Sequence, residues 1–189
     1  AIIINHTLFT YGGEHSVVVY GIISRMLMFA LFPILGITQG FLPIAGFNYG
    51  ANNYERVKES IQISVKYAAF LATVIFVIIL IFAKPIVAIF TTDPKVIAET
   101  PEALRWVFAA SPIIAVQLIG AAYFQAAGKA KKALFLTLSK QGFFLIPLVL
   151  ILPNFLGIFG VWVAFPIADV LSTLITGYFL KKEMNINLI

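Results

Sequence analysis

Three charged side chains, Arg25, Lys140 and Asp169, lie well inside long apolar runs of this sequence. An ionised group at membrane depth costs roughly 2.5–3.5 kcal/mol on insertion scales, so such residues face a cavity or a partner and handle protons or cations. Asp169 is near the middle of Ile158–Leu180. It is a candidate protonatable or cation-contacting group; equally, it can hydrogen-bond backbone freed by Pro166. Arg25 sits roughly 12 Å in from the outer start of its helix, counted at 1.5 Å per residue, and either snorkels outward or pairs with a carboxylate or substrate. Lys140 is about two turns in from its helix end and is expected to snorkel. Either cation is an available partner for Asp169. Gln39, Asn48 and Gln117, with Asn5, Gln125 and Gln141, add neutral polar groups whose usual task is interhelical hydrogen bonding, on the order of 1 kcal/mol each. Some of them are candidates for a substrate path. The 18 phenylalanines offer stacking and cation–π surface, though lipid or core packing is the ordinary use of each.

Enzyme chemistry has little to stand on. His6 and His15 are the only histidines and cysteine is absent, and neither a His-Glu-x-x-His pattern nor a Gly-x-x-x-x-Gly-Lys-Ser/Thr loop occurs. No catalytic residue, metal site or cofactor is expected.

The elements that position these residues follow from composition. With 61% apolar residues, 11% charged residues and a mean hydropathy of +0.99, the chain has more hydrophobic surface than a water-soluble core of its size can hide. Apolar runs of roughly 20 residues match helices crossing a bilayer, whereas barrel strands would alternate over about 10. The expected fold is an all-α, polytopic transmembrane bundle with membrane lipid around it. A net charge of +5 raises nucleic-acid binding, but the basic residues fall in short clusters between spans rather than on one aqueous face.

Ala1–Tyr11 is too short to cross and reads as the tail of a truncated helix. Tyr11-Gly12-Gly13-Glu14-His15 is a turn. Spans follow over Val17–Phe47, which must tilt, protrude, or kink at Pro33 or Pro43, over Ile61–Phe90, Trp106–Ala127, Ala133–Leu152 and Ile158–Leu180. That makes five full spans and a fragment. Asp93 before Pro94 and Thr100 before Pro101 are both N-cap and N1-proline patterns, predicting a short surface helix before the Trp106 span. Arg56, Lys58, Lys129, Lys131, Lys132, Lys181 and Lys182 occupy alternate connections, opposite Glu14, Asp93, Glu99 and Glu102. The positive-inside rule makes the first side, and the C-terminus, cytoplasmic.

Between the second and third segments, Gln39, Pro43, Gly46, Asn48 and Gly50 interrupt the apolar run, and Asn52 with Glu55 has capping-box spacing for the next helix. Pro43, Gly46 and Gly50 define this helix-turn motif. Its Phe47–Ala51 end is echoed by Phe124–Gly128, as expected where small residues close helices. The run Thr38–Lys58 resembles the multidrug and toxic compound extrusion family, as do Phe124–Ala133, Leu156–Trp162 and Pro166–Asp169. Their order covers nearly the whole chain, and the similarity is greatest to the branch of MepA- and DinF-type bacterial exporters.

The resemblance implies a transporter of two six-helix lobes around a central cavity, with residues 1–189 as the C-terminal lobe. Its other implied partners are the N-terminal lobe of the same protein and a small amphipathic or cationic substrate, exchanged for H+ or Na+ across a bacterial inner membrane. The acidic residues that one branch carries on its seventh and tenth helices have no counterpart in Ala1–Tyr11 or Trp106–Ala127, which favours protons over sodium. A lipid-linked oligosaccharide flippase and a membrane scaffold subunit are the alternative functions.

Overall fold

The computed structural model describes residues 2–186. All its regular elements are helical: α1 Ile2–Gly50, α2 Tyr54–Phe90, α3 Pro94–Val107, α4 Ile114–Ala126, α5 Ala130–Leu138, α6 Ile146–Ile151, α7 Pro153–Leu156 and α8 Ile158–Ile186. A 3₁₀ turn at Ser111–Ile113 joins α3 to α4, and a π-helical stretch at Ser139–Leu145 joins α5 to α6. Five stretches are long and apolar enough to cross a membrane: Ile2–Gly50, Tyr54–Phe90, Pro94–Ala126, Ala130–Leu156 and Ile158–Asn185.

The turn expected at Tyr11–His15 is a one-residue break. Gly13 has φ 70° and ψ −171°, a conformation open to glycine alone among the residues here, and it separates the opening segment from the span that follows. Tyr11 Oη donates to Asn154 Oδ1 at 2.6 Å, and His15 Nε2 lies 2.9 Å from Glu99 Oε2. The turns carrying these residues therefore gather at one end of the bundle.

At the other end, two helices close in the same way. Asn53 N donates to Asn48 O and Asn52 N to Tyr49 O, with Asn52 at φ 57°; Lys129 N donates to Phe124 O and Gly128 N to Gln125 O, with Gly128 at φ 71°. Both are Schellman closures, in which a left-handed residue lets the last carbonyls find donors. The echo in the sequence is thus structural, but offset by one: Asn48, not Phe47, corresponds to Phe124, and Asn52, not Ala51, corresponds to Gly128. The cap of α2 shifts with it. Asn53, rather than Asn52, presents its Oδ1 to Arg56 N, at 3.5 Å.

The region after Asp93 departs from expectation. Asp93 does cap α3, accepting from Lys95 N at 2.9 Å, but Thr100 caps nothing: its hydroxyl donates to Val96 O at 2.7 Å, one turn back. Pro101 lies inside α3, and Val96, Thr100, Pro101, Ala103 and Leu104 are buried. There is no short surface helix; α3 is the first half of the Pro94–Ala126 span, and the break expected before Pro101 falls at Phe108–Pro112. Burial of an apolar face outweighs local capping preference here. α2 runs through Pro85 to Phe90, the end expected for this span. Phe82 leaves helical geometry (φ −105°, ψ 18°) and the helix bends on to Phe90, with Arg105 Nε donating to Leu80 O at 3.1 Å.

The interior is divided. One apolar core joins Leu8, Ile23, Val87, Leu104, Phe108, Val149, Val161 and Ala168; a second joins Ile34, Phe41, Val57, Ile61, Ile119, Tyr123, Phe124, Leu136 and Leu180. The polar groups described next lie where the two meet.

Candidate functional site

Pro112 has no N–H, so the α3–α4 span cannot continue its hydrogen-bond ladder through this point. Ser111 N turns instead to Phe108 O at 2.9 Å and Ile113 N to Ala110 O at 3.1 Å. Those amides are the helical donors of Val107 O and Ala109 O, which the break therefore releases. Facing the break, the Ser139–Leu145 turns widen to π geometry, a deviation that recurs at functional positions. That widening rotates Lys140 inward. Its Nζ lies 2.6 Å from Asp169 Oδ1 on α8, an ion pair by distance whose angle falls outside hydrogen-bond geometry.

Asp169 is 5% exposed. A cavity of about 30 Å³ opens beside the pair, lined by Leu27 and Ile34 of α1, Ala72 and Ile75 of α2, and Phe108 and Ser111 at the break. That is room for one or two waters. Every other lining side chain from α1 and α2 is apolar, so the pair is alone among low-polarity neighbours. Ser172, one turn along α8, spends its hydroxyl on Asp169 O at 3.1 Å. At the start of the π segment, Gln117 Nε2 reaches Leu136 O at 3.4 Å and Ser139 Oγ donates to the same carbonyl at 2.7 Å.

The residues singled out by sequence divide accordingly. Lys140 does not snorkel; it is the partner of Asp169. Arg25 is exposed on α1 and takes no part. Gln117 is buried behind the π segment. Gln39 is exposed, and Asn48, half-buried near the end of α1, donates to Ile44 O at 2.8 Å. Pro43 continues within α1, Gly46 faces Ala126 with room for a methyl group, and Gly50 is the last residue of α1. The structure thus brings together Asp169, Lys140 and the Ser111 break, and leaves Arg25, Gln39 and Asn48 apart from them.

One buried carboxylate escaped the sequence reading. Glu183, in the last turns of α8, is 1% exposed. It accepts from Lys129 Nζ and, at 3.2 Å, from Lys132 Nζ, with Tyr123 Oη 3.5 Å away. Lys129 also stands 5.6 Å above the Tyr49 ring, and Lys132 lies 5.3 Å from that of Phe124. Burial pulls Lys129 below the ordinary lysine pKa. The signal was the Lys129–Lys132 spacing at a turn, which sets two ammonium groups on one side of a helix start.

Five apolar spans with a buried ion pair at a helix break define a multi-pass membrane protein. The family model described as MatE matches residues 1–151, and the chain belongs to that family. It is 24% identical over 184 residues to "Multidrug export protein MepA" of Staphylococcus haemolyticus (strain JCSC1435), covering 97% of this chain and 40% of the relative. It is 22% identical over 170 residues to "FAD transporter" of Shewanella oneidensis, covering 89% of this chain and 38% of the relative. Among solved structures, that of the MATE multidrug transporter DinF-BH is similar at 40% identity with a TM-score of 0.84, over 98% of this chain and 42% of that one. The chain therefore spans about two fifths of the length of these relatives.

Proposed function

We propose that this chain is the C-terminal lobe of a secondary-active exporter of amphipathic, cationic compounds, working by alternating exposure of a cavity shared with an N-terminal lobe of the same protein. Membership of the MatE family carries the reading, and the multidrug exporters among its relatives give the substrate class. Protons are the coupling ion we favour. The lysine-rich turns, with Arg56 and Lys132, lie on the cytoplasmic side of a bacterial inner membrane.

Within this lobe the Lys140–Asp169 pair is the element we assign to transport. Burying a charge pair costs several kcal/mol of desolvation per ion, and this pair lies beside a water-sized cavity and a discontinuous helix. Broken helices at such positions supply ion and substrate contacts in transporters generally. The test is Asp169→Asn in the full-length protein, which keeps shape and removes the charge. Export of a fluorescent cationic dye is expected to fall at least tenfold while folded yield stays within about twofold. Parallel loss of yield and export would make Asp169 a structural residue.

A further inference from the structure

We propose that the Lys140 ammonium is a tethered counter-ion, occupying a seat beside Asp169 that would otherwise bind sodium. This rests on the Lys140–Asp169 pair being the functional element of the lobe, and its test is a binding measurement independent of export.

A small hard cation asks for several oxygens around one positive charge. The oxygens available there are those of Asp169, that of Ser111, which lines the cavity, and the Val107 carbonyl, deprived of its helical donor by the break. Val107, Phe108 and Ser111 all line the cavity that Lys140 and Asp169 share. Lys140 satisfies the charge with a compact ammonium on a flexible stem, 2.6 Å from Asp169 Oδ1. The remaining lining residues, Leu27, Ala30, Leu31 and Ile34 of α1, Ala72 and Ile75 of α2 and Ile114 of α4, carry no charge. The seat therefore holds one cation at a time.

Because Lys140 is attached, its local concentration does not change with the medium, and dissolved sodium must displace it to enter. The native lobe is then indifferent to sodium, and only loss of the ammonium exposes the latent site. Lys140→Met is the discriminating change, since methionine fills much of the stem's volume and leaves the ammonium's place vacant.

The experiment uses the full-length protein in detergent, with thermal unfolding followed in sodium chloride and in N-methylglucamine chloride at equal ionic strength. The wild type is expected to unfold at the same temperature in both. Lys140→Met is expected to gain a sodium-dependent rise, so that each tenfold increase in sodium above the dissociation constant moves the folding equilibrium about tenfold. Lys140→Met with Asp169→Asn is expected to lose that rise. Lys140→Arg, which keeps a tethered charge, is expected to show none, and Lys140→Gln serves in place of Lys140→Met if that variant does not fold. Sodium stabilising the wild type as much as Lys140→Met, or failing to stabilise both neutral variants, overturns the proposal. A sodium response confined to the neutral variants, alongside an Asp169→Asn protein that still exports, would keep the seat and sink its role in transport.

Discussion

Asp169 and Glu183 are both buried carboxylates on α8 paired with lysine, yet they differ in the number of partners and in the space around them. Glu183 sits at the helix end, held by two ammonium groups with a tyrosine hydroxyl beside them; the exposure of the lysines does not separate the sites, since Lys129 is 25% exposed and Lys140 is 21%. Asp169 has one partner, lies between two apolar cores and adjoins a cavity. A carboxylate surrounded by donors staples elements together: Glu183 ties α8 to the α4–α5 turn. A carboxylate with one cation, spare room and a released backbone carbonyl nearby can exchange that cation. On the function proposed above, the same chemical pair serves fixation in one place and exchange in another, and the number of partners and the free volume tell them apart.

The comparison breaks most readily at Glu183. Replacing it with alanine leaves Lys129 facing a hole, and removing one member of a buried pair costs on the order of 3 kcal/mol. A clear drop in unfolding temperature and folded yield is expected, with export per folded molecule unchanged. A normal unfolding temperature with lost export would exchange the roles assigned to the two sites.

A smaller effect is expected where the pair is replaced as a unit. Lys140→Met combined with Asp169→Leu removes both charges, and apolar substitution of a complete buried pair is commonly neutral or stabilising. The unfolding temperature should match or exceed that of the wild type while dye export is lost. Destabilisation by the double change would show that Asp169 fastens the fold as Glu183 does.

Smaller still is Lys132→Met. Its ammonium is 44% exposed and Glu183 retains Lys129, so the loss should stay below about 1 kcal/mol, as for other solvent-screened pairs. A loss as large as that of Glu183→Ala would mean that Lys132, not Lys129, is the principal partner.

Sidedness can be checked at positions that hold no tertiary contact. In this cysteine-free sequence, a cysteine at the exposed position 14 should react with an impermeant reagent added outside intact cells, and one at position 131 should not. The reverse pattern would invert the topology.

The spans, the Asp93 cap and the basic ends were legible because bulk hydropathy and local hydrogen bonding determine them. What the sequence hid was rotation and continuity. The depth of Lys140 could be counted, but its direction assumed α-helical phase, and the π segment at Ser139–Leu145 shifts that phase and turns the side chain inward. Pro33, Pro43, Pro101 and Pro166 are all accommodated within helices; Pro112 coincides with a break because Ser111 and Ile113 adopt 3₁₀ bonds beside it. No local pattern distinguishes these cases. Glu183 follows Lys181-Lys182, and nothing in its neighbours along the chain marks it as buried. It is the α4–α5 turn, distant in sequence, that covers it.

The 37 residues of α2 also have a practical consequence. A helix of that length extends about 55 Å, against roughly 40–45 Å for a bilayer with its headgroups, and residues 14–50 of α1 run alongside it and meet it at Asn52–Asn53. Since Asn52, Asn53 and Arg56 are not buried, that joint offers a reachable point of attachment at one end of the bundle. A small folded tag or an antibody fragment attached there would report movements of the bundle without entering the membrane.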